Sequence, residues 1–481
     1  MASLKANVFL NFVNTITGIV FPVITFPYAA RVLLPEGIGA VNFYQSIVNY
    51  IILLTSLGIP MYAVREVAKY RDDVEKRNRV ATEITLLSLF LSLGGYVLVW
   101  VLAWYVPKIQ VQAELFYVLS LGILFTAIGV NWFYQAVEDF KFITIRALVF
   151  RLLAAVALFL FVKDKEDLLI YALVVVGSTV GNNFINFIHL RTYIPLRSIA
   201  WRQLQVWRHL KPALHIFVFN LITSIYLNLN TVMLGFMQGD TAVGFYTAGN
   251  KISHIVLSVV ASLGVVMLPR CSNLVENGRM EEFASVTGKS YRFVLALSVP
   301  SVCGLMLLAS PVISVFCGSE FSDASPVLCW TAPIIVFIGL SNVFGIQVLY
   351  PCGKENLVIW STVGGAVFNF LLNLWLIPVW SYTGAAISTF IAELVVLVIQ
   401  IVWGSRYIPF SIFEKSCANY LIASLCMVAA VYPVTLYISD VWLLFASSII
   451  LGSVVYVGIL YGMKDRLLIE IIRYAIRRIK H

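Results

Sequence analysis

Long apolar runs, each closed by a cluster of charged residues, most strongly limit what this 481-residue chain can fold into. Each run has about 20 residues or more, the length at which an α-helix crosses a bilayer. Only 12% of the residues are charged and 60% are hydrophobic, whereas soluble domains carry about 25% charged residues. This balance excludes a water-soluble globule and a disordered chain. The sequence therefore predicts an all-α polytopic membrane protein. Its fourteen runs lie near 6–30, 38–64, 81–106, 113–137, 143–162, 168–190, 212–237, 244–268, 291–310, 326–349, 357–378, 383–405, 418–437 and 442–463.

The distribution of cations predicts the orientation of these spans. With the amino terminus inside, the inner segments hold 27 of the 33 Lys and Arg residues, and the outward loops hold four. Because Lys and Arg concentrate on the cytoplasmic side of a membrane, both termini are predicted to be cytoplasmic. The formal charge of +9 then reflects topology, and no nucleic-acid partner is expected.

Two segments are similar in sequence and predict an internal repeat. Residues 40–44 are Ala-Val-Asn-Phe-Tyr, and residues 242–246 are Ala-Val-Gly-Phe-Tyr, at an offset of 202. Six spans per half leave both halves in the same orientation, and parallel repeats of this kind enclose a cavity between them. The predicted domains are an N-terminal six-helix bundle at 1–190, a basic cytoplasmic linker at 191–211, a C-terminal six-helix bundle at 212–405, and helices 13–14 with a basic cytoplasmic tail at 406–481.

A polar stripe runs along the eighth span. Lys251 lies seven residues into that span, and Thr247, His254, Ser258 and Ser262 share its helical face. A charge at the bilayer centre costs at least about 2.5–3.5 kcal/mol, so it needs a compensating environment. We favour a cationic wall of a central cavity. The alternative is a Lys251 that extends to the membrane interface while the hydroxyl groups bond neighbouring helices.

Two other spans carry charges at depth. Glu393 is the only mid-span carboxylate, and burial raises a carboxyl pKa. It is therefore either a proton or sodium site or a neutral acid that bonds a nearby hydroxyl. Arg151 lies eight residues into the fifth span, with Arg146 at its cytoplasmic end. The two arginines could grip an anion that enters from the cytoplasm, although anchoring of the topology is slightly favoured.

The first span combines amides with prolines. Asn14 lies on a polar face, and Pro22, Pro27 and Arg31 follow it. Because proline removes a backbone donor and kinks a helix, this span is a candidate bending element that faces the cavity. Its amides, like those of spans 6, 7 and 11, could bond sugar hydroxyls, but holding neighbouring helices together is the favoured role.

Several classes of enzyme lack support in the sequence. It contains no nucleotide-binding P-loop, no Cys-x-x-Cys pair and no His/Cys/Asp constellation. The longest outward loop, 311–325, has about fifteen residues, which is short for the catalytic segment of a membrane glycosyltransferase or polymerase. The expectation is a transporter without a cofactor or a metal.

Four segments resemble one family. Residues 131–138 are Asn-Trp-Phe-Tyr-Gln-Ala-Val-Glu, and the segments 26–39, 244–252 and 373–393 carry further family-like patterns. Together they resemble the Wzx-type oligosaccharide and polysaccharide flippases of the multidrug/oligosaccharidyl-lipid/polysaccharide exporter superfamily. Ala136 stands where that family's signature usually has Gly, and residues 379–382 depart from its usual turn.

The resemblance implies two six-helix bundles, as in multidrug and toxic compound extruders, plus two further helices. It implies a flippase that moves a polyprenyl-diphosphate-linked oligosaccharide, such as an O-antigen repeat unit, from the cytoplasmic to the outer leaflet of a bacterial inner membrane by alternating access. A polysaccharide polymerase and glycosyltransferases are its expected partners. The candidate residues are Glu393 for ion coupling and, for substrate binding, Arg31, Lys251, His254, Asn14, Arg146 and Arg151.

Three alternatives stay open. A flippase for the lipid-linked peptidoglycan precursor shares the implied fold. A multidrug/cation antiporter also shares it, but would favour acids over cations within the spans. A membrane glycosyltransferase or polymerase is less expected because the outward loops are short.

Overall fold

The computed structural model describes residues 4–195, 201–412, 414–470 and 473, and every regular element in these ranges is helical. The predicted all-α class is therefore confirmed. Part of the predicted basic linker, at 196–200, and nearly all of the tail beyond 470 lie outside the described residues. The chain divides into two compact units, Met1–Gly244 and Phe245–His481. The predicted domain boundaries stay a prediction.

The first unit contains nine complete helices and two short 3-10 segments in its described part. They are α1 (Leu4–Ser56), α2 (Ile59–Ala68), α3 (Val74–Tyr105), α4 (Pro107–Val111), α5 (Ala113–Ile128), α6 (Asn131–Ala136), α7 (Phe140–Phe161), α8 (Leu168–Tyr193), the 3-10 segments Trp201–Gln203 and Val206–His209, and α9 (Leu210–Gln238). The helix α10 (Asp240–Glu276) begins in this unit and continues into the second.

The second unit continues with helices and one π-helical segment. They are α11 (Met280–Leu307), α12 (Ala309–Cys317), the 3-10 segment Ser319–Ala324, α13 (Ser325–Thr331), α14 (Ile334–Ser341), the π-helix Asn342–Leu349, α15 (Glu355–Gly404), the 3-10 segment Ser405–Tyr407, α16 (Lys415–Tyr437) and α17 (Val441–Gly462).

Two helices are broken in the middle. In α1 the backbone leaves the helical region at Leu34, with φ 60° and ψ 174°, because the following Pro35 disfavours a helical conformation at the residue before it. In α15 the break falls at Ser381, with φ 49°. Helices of 53 and 50 residues would be about 75–80 Å long at 1.5 Å per residue, far more than the hydrocarbon core. Both breaks fall in loops that the sequence predicts between spans.

Ten helices of the described part are long and apolar enough to cross a membrane, or eleven if one bent pair forms a single span. That pair, Ser319–Thr331 with Ile334–Leu349, bends by 41°. Large apolar side chains remain exposed on these helices, for example Leu152 and Phe161 at 55% and 61%, and hydrocarbon is the solvent that suits such faces. The protein is a multi-pass membrane protein, and the count of fourteen spans stays a prediction.

Candidate functional site

Arg146 is buried in the second turn of α7 among neutral groups. Its Nε donates to Oδ1 of Asn182 at 2.7 Å, and its Nη2 donates to Oδ1 of Asn131 at 3.1 Å. The Phe142 ring centroid lies 5.1 Å from the guanidinium carbon. The third nitrogen, Nη1, is buried and has no hydrogen-bond partner among the residues that the structure describes. Amides therefore hold the guanidinium in place and leave one of its donor groups available.

The family-like segment 131–138 builds this setting. It forms the short helix α6, whose first residue is the Asn131 that holds Arg146. The buried Tyr134 donates its hydroxyl to the carbonyl of Asn186 on α8 at 2.6 Å. At the other end, Glu138 pairs with Arg71 at 2.7 Å. The motif thus ties α6 to α8 and to the segment after α2, which its sequence alone does not reveal.

Arg151 lies farther along α7 and contacts the first helix. Its Nη1 donates to the carbonyl of Asn14 at 2.9 Å and to Oγ1 of Thr17 at 2.6 Å. The sequence selected Asn14 and Arg151 on separate grounds, and the structure places them in contact. Both acceptors are neutral, so these contacts leave the positive charge of Arg151 without a compensating acid. Substrate binding by either residue stays a prediction.

Lys251 and His254 lie about one turn apart on α10, as the helical spacing predicts, and Arg31 lies near the break in α1. Arg31 is exposed three residues before the break in α1, while Lys251 is half-buried and His254 exposed on α10. Arg31 belongs to the first unit, and the other two belong to the second. A shared cationic patch of these three residues therefore stays a prediction.

Glu393 is 8% exposed on α15. A buried amide–hydroxyl network lies toward the break in the same helix: Asn373 donates to Asn369 at 3.2 Å, and Asn369 donates to Oγ of Ser388 at 3.2 Å. Ser388 also donates to Asn373. These contacts join the two parts of α15 and bear out the favoured helix-joining role of these amides. A coupling role for Glu393 stays a prediction.

A buried carboxylate that the sequence did not select lies in α3. Glu83 is 0% exposed, accepts from Nε of Arg79 at 3.2 Å and Nε2 of His209 at 2.9 Å, and forms an ion pair with Nη2 of Arg208 at 2.6 Å. It also accepts from the backbone N–H of Gln205 at 2.7 Å. Glu83 therefore fastens the 3-10 segment Val206–His209 to α3. We call this set of contacts the Glu83 latch.

His209 extends the Glu83 latch to α2. Its Nδ1 lies 2.7 Å from the hydroxyl of Tyr62, and its Nε2 lies 2.9 Å from Glu83 and 3.3 Å from Nε of Arg208. A neutral ring with its proton on Nε2 accepts from Tyr62 and donates to Glu83. Burial lowers the pKa of His209, and the hydrogen bond to Glu83 opposes that effect. The sequence showed Glu83 at a span end, where an acid is ordinarily solvated. Its burial comes from a segment more than 120 residues away.

The sequence also did not reveal a close backbone approach where α1 crosses the start of α10. A Cβ atom on Gly39 would lie 1.7 Å from the carbonyl oxygen of Asp240, and one on Gly244 would lie 1.9 Å from that of Pro35. Only glycine permits such an approach. Beside this crossing, Lys108 pairs with Asp240 at 2.7 Å. The sequence places this crossing on the outer side of the membrane.

The second unit contains an apolar cavity of about 600 Å³. Side chains of α10, α11, α12, α16 and α17 line it, among them Pro300, Met427 and Tyr456. The last two helices thus pack on the unit and enclose a space suited to hydrocarbon. Within the described ranges, no group of three or more His, Cys, Asp or Glu side chains is placed to hold a metal ion.

Apolar spanning helices define a polytopic helical membrane protein, and cations held inside it among neutral groups are typical of a transporter. A family model described as polysaccharide biosynthesis protein matches residues 4–275, and a second model, MatE, matches residues 216–375. The first match covers more than half of the 481 residues. The chain therefore belongs to the polysaccharide biosynthesis protein family.

Individual proteins are similar to this chain in sequence or in fold. The chain is 24% identical over 358 residues to the "Putative O-antigen transporter" of Escherichia coli strain K12, which covers 72% of this chain and 83% of that relative. The lipid II flippase MurJ in an inward closed conformation is similar in fold, with a TM-score of 0.68, 15% identity and coverage of 96% and 99%. An inward-facing MATE transporter has a TM-score of 0.63, 16% identity and coverage of 81% and 94%.

Proposed function

We propose that this chain is a flippase for a polyprenyl-diphosphate-linked oligosaccharide, carrying it from the cytoplasmic to the outer leaflet of a bacterial inner membrane. The observation that carries the proposal is the pair of arginines inside the first unit. Arg146 and Arg151 donate hydrogen bonds to amides, a hydroxyl and a backbone carbonyl. Because a cation in a membrane is costly without a counter-charge, such sites suit an anionic cargo.

The remaining features agree with a cargo that has two parts. A lipid-linked oligosaccharide joins an anionic diphosphate and polar sugars to a long hydrocarbon chain. The apolar cavity of about 600 Å³ in the second unit offers space for part of that chain, while amides and cations suit the head group. The relative named for O-antigen transport supports the same class of cargo.

Two other cargoes share parts of this chemistry. A lipid-linked peptidoglycan precursor also carries a diphosphate, and the fold of MurJ is similar. The family match and the long alignment with the O-antigen relative favour a surface polysaccharide unit instead. A multidrug/cation antiporter is supported by the MatE match at 216–375, but the arginine sites disfavour a cationic cargo.

The finer assignments extend this proposal. Arg31, Lys251 and His254 contact the diphosphate in the outer half of the path, and Arg146, Arg151 and Asn14 act nearer the cytoplasm. Glu393 couples transport to a proton or sodium gradient. Both termini lie in the cytoplasm, as the excess of inner cations indicates. A polymerase and glycosyltransferases act on the same lipid-linked units.

Deletion of the gene tests the proposal. The expected result is loss of surface polysaccharide together with an accumulation of complete lipid-linked oligosaccharide on the cytoplasmic face. Complementation with the intact chain should restore both. Unchanged surface polysaccharide, or intermediates that stop before the oligosaccharide is complete, would contradict a role in flipping.

A further inference from the structure

A groove between α7 and α8 has a volume of about 590 Å³. Arg146 and His189 line it together with apolar side chains, and Lys141 and Asp139 lie at one end. The groove therefore combines a basic end with a hydrocarbon-like wall. None of the motifs in the sequence singles it out.

Two buried nitrogen atoms of the groove residues lack partners in the described part of the chain. Arg146 is 5% exposed, and its Nη1 has no hydrogen-bond partner, although its other nitrogens bond Asn182 and Asn131. Nδ1 of His189 is likewise buried and unpaired. Leaving a buried charged donor unsatisfied costs more than leaving a neutral one, and native proteins rarely do so. The unsatisfied Nη1 donor of Arg146 indicates a ligand that accepts hydrogen bonds, and Nδ1 of His189 can donate as well in the tautomer that carries its proton there.

The charges favour an anion. The carboxylate of Asp139 is already occupied, because it caps α7 by accepting from the backbone N–H of Phe142 at 3.2 Å and accepts from the hydroxyl of Tyr193 at 3.1 Å. Arg146 instead bonds two neutral amides, those of Asn182 and Asn131. Lys141 at the same end is exposed. An anion would therefore meet two cations and one carboxylate whose oxygens are engaged.

The apolar wall indicates that the anion belongs to a lipid. Ile145 and Val149 are one helical turn apart on α7, and Ile185 faces them from α8 across the groove. They are exposed by 51%, 45% and 38%. A free inorganic anion gains nothing from such a wall, whereas a lipid can place its phosphate at Arg146 and its chain against these residues.

We propose that this groove is a binding site for a lipid phosphate, with Nη1 of Arg146 donating to a phosphate oxygen, His189 beside it, and the hydrocarbon chain lying along Ile145, Val149 and Ile185. Two lipids carry this chemistry: an anionic phospholipid of the membrane, and a polyprenyl diphosphate. The second source rests on the proposed function, since it would make the groove a cytoplasmic docking place for the cargo.

Native mass spectrometry of the full chain, delipidated in detergent, tests the site. The probes are phosphatidylglycerol, a polyprenyl diphosphate, diacylglycerol without phosphate, and inorganic phosphate. Phosphatidylglycerol, the polyprenyl diphosphate or both should bind, diacylglycerol should not, and inorganic phosphate at equal concentration should not compete. Stronger binding of one phosphate lipid identifies the source. Equal binding of diacylglycerol, or no binding of either phosphate lipid, would overturn the proposal.

Two pairs of variants locate the binding. Arg146→Gln should weaken it by about tenfold or more, as expected for a lost charged hydrogen bond, whereas Arg191→Gln removes an exposed charge from α8 and should have little effect. Val149 lines the groove and does not bond Arg146, so Val149→Trp should fill the groove; Leu160→Trp is its control at the far end of α7. Binding by Val149→Trp at the level of the intact chain, or an equal loss in Arg191→Gln and Arg146→Gln, would place the lipid elsewhere.

The outcome is separable from the proposed function. Phosphatidylglycerol bound at this groove in a chain that fails to flip oligosaccharide would support the site and reject the flippase. Flipping by a chain whose groove binds no phosphate lipid would support the flippase and reject the lipid site.

Discussion

The substitution Glu83→Gln tests the Glu83 latch. Glu83 is 0% exposed; it accepts hydrogen bonds from two side chains and one backbone N–H, and it forms an ion pair with Arg208. A glutamine keeps the shape, but it has no charge and only one acceptor oxygen, so it faces two guanidinium groups without balancing them. Removing one partner of a fully buried ion pair costs about 3–5 kcal/mol.

Solvent reduces that cost here. The side chains of Arg79 and Arg208 are 33% and 43% exposed, so water can take over part of their solvation. We therefore expect a loss of about 2–4 kcal/mol in the free energy that holds the 3-10 segments to α3. Because 1.4 kcal/mol corresponds to tenfold, the released form of this segment should rise by about 30-fold or more.

Limited trypsin digestion measures this release. Arg202 is exposed in the 3-10 segment Trp201–Gln203, and cleavage there follows the population of the open form when opening is fast. The cleavage rate of Glu83→Gln should exceed that of the intact chain by the same factor, in protein that elutes as a single species. Asp72→Asn, which removes an exposed acid from a nearby turn, is the control. If the cleavage rate of Glu83→Gln lies within twofold of the rates of the intact chain and of Asp72→Asn, the Glu83 latch is refuted.

Four further predictions concern charged residues. At equal membrane abundance, Lys251→Arg should retain much of the polysaccharide export and Lys251→Gln should lose most of it, because the positive charge binds the diphosphate. Near-normal export by Lys251→Gln would show that Lys251 only extends to the membrane interface. Glu393→Gln should flatten the response of transport to the ion gradient, and an unchanged response in a well-expressed variant would assign Glu393 a structural role. Asp240→Asn should lower stability in thermal unfolding by about 1 kcal/mol, and Lys108→Asp combined with Asp240→Lys should recover it; no recovery would mean that the ion pair contributes little. Burial lowers the pKa of His209, so its neutral form stabilises the Glu83 latch above the ordinary histidine pKa of about 6.5, and the latch should weaken as pH falls below that value. The rate of cleavage at Arg202, normalised to that of an unfolded peptide, should therefore rise as pH falls. The variant His209→Gln should show no such rise.

The fold class followed from the sequence because its signal is local. An apolar run in the sequence predicts a helix long enough to span a bilayer. A proline such as Pro35 predicts a break at the residue before it, here Leu34. The helix-joining role of Asn369 and Asn373 also followed, since their spacing puts them on one face. Such features depend on residues within a few helical turns of each other.

The partners of the charged residues could not be obtained in this way. Arg146 was placed at a span end, where it could simply anchor the topology, yet Asn182 lies 36 residues farther along the chain. Glu83 meets His209 across 126 residues. A single sequence shows which face of a helix is polar, but it does not show which helix packs against that face. The site residues were therefore selected without their neighbours.

Reconstitution measures the flipping of the lipid-linked oligosaccharide itself. The purified chain is placed in liposomes that contain a polyprenyl-diphosphate-linked oligosaccharide on both leaflets, and a membrane-impermeant glycosidase is added outside. If the chain is a flippase, the inner pool becomes accessible with time, and Lys251→Glu slows this exposure because it repels the diphosphate. An inner pool that stays as protected as in protein-free liposomes would contradict flipping by this chain.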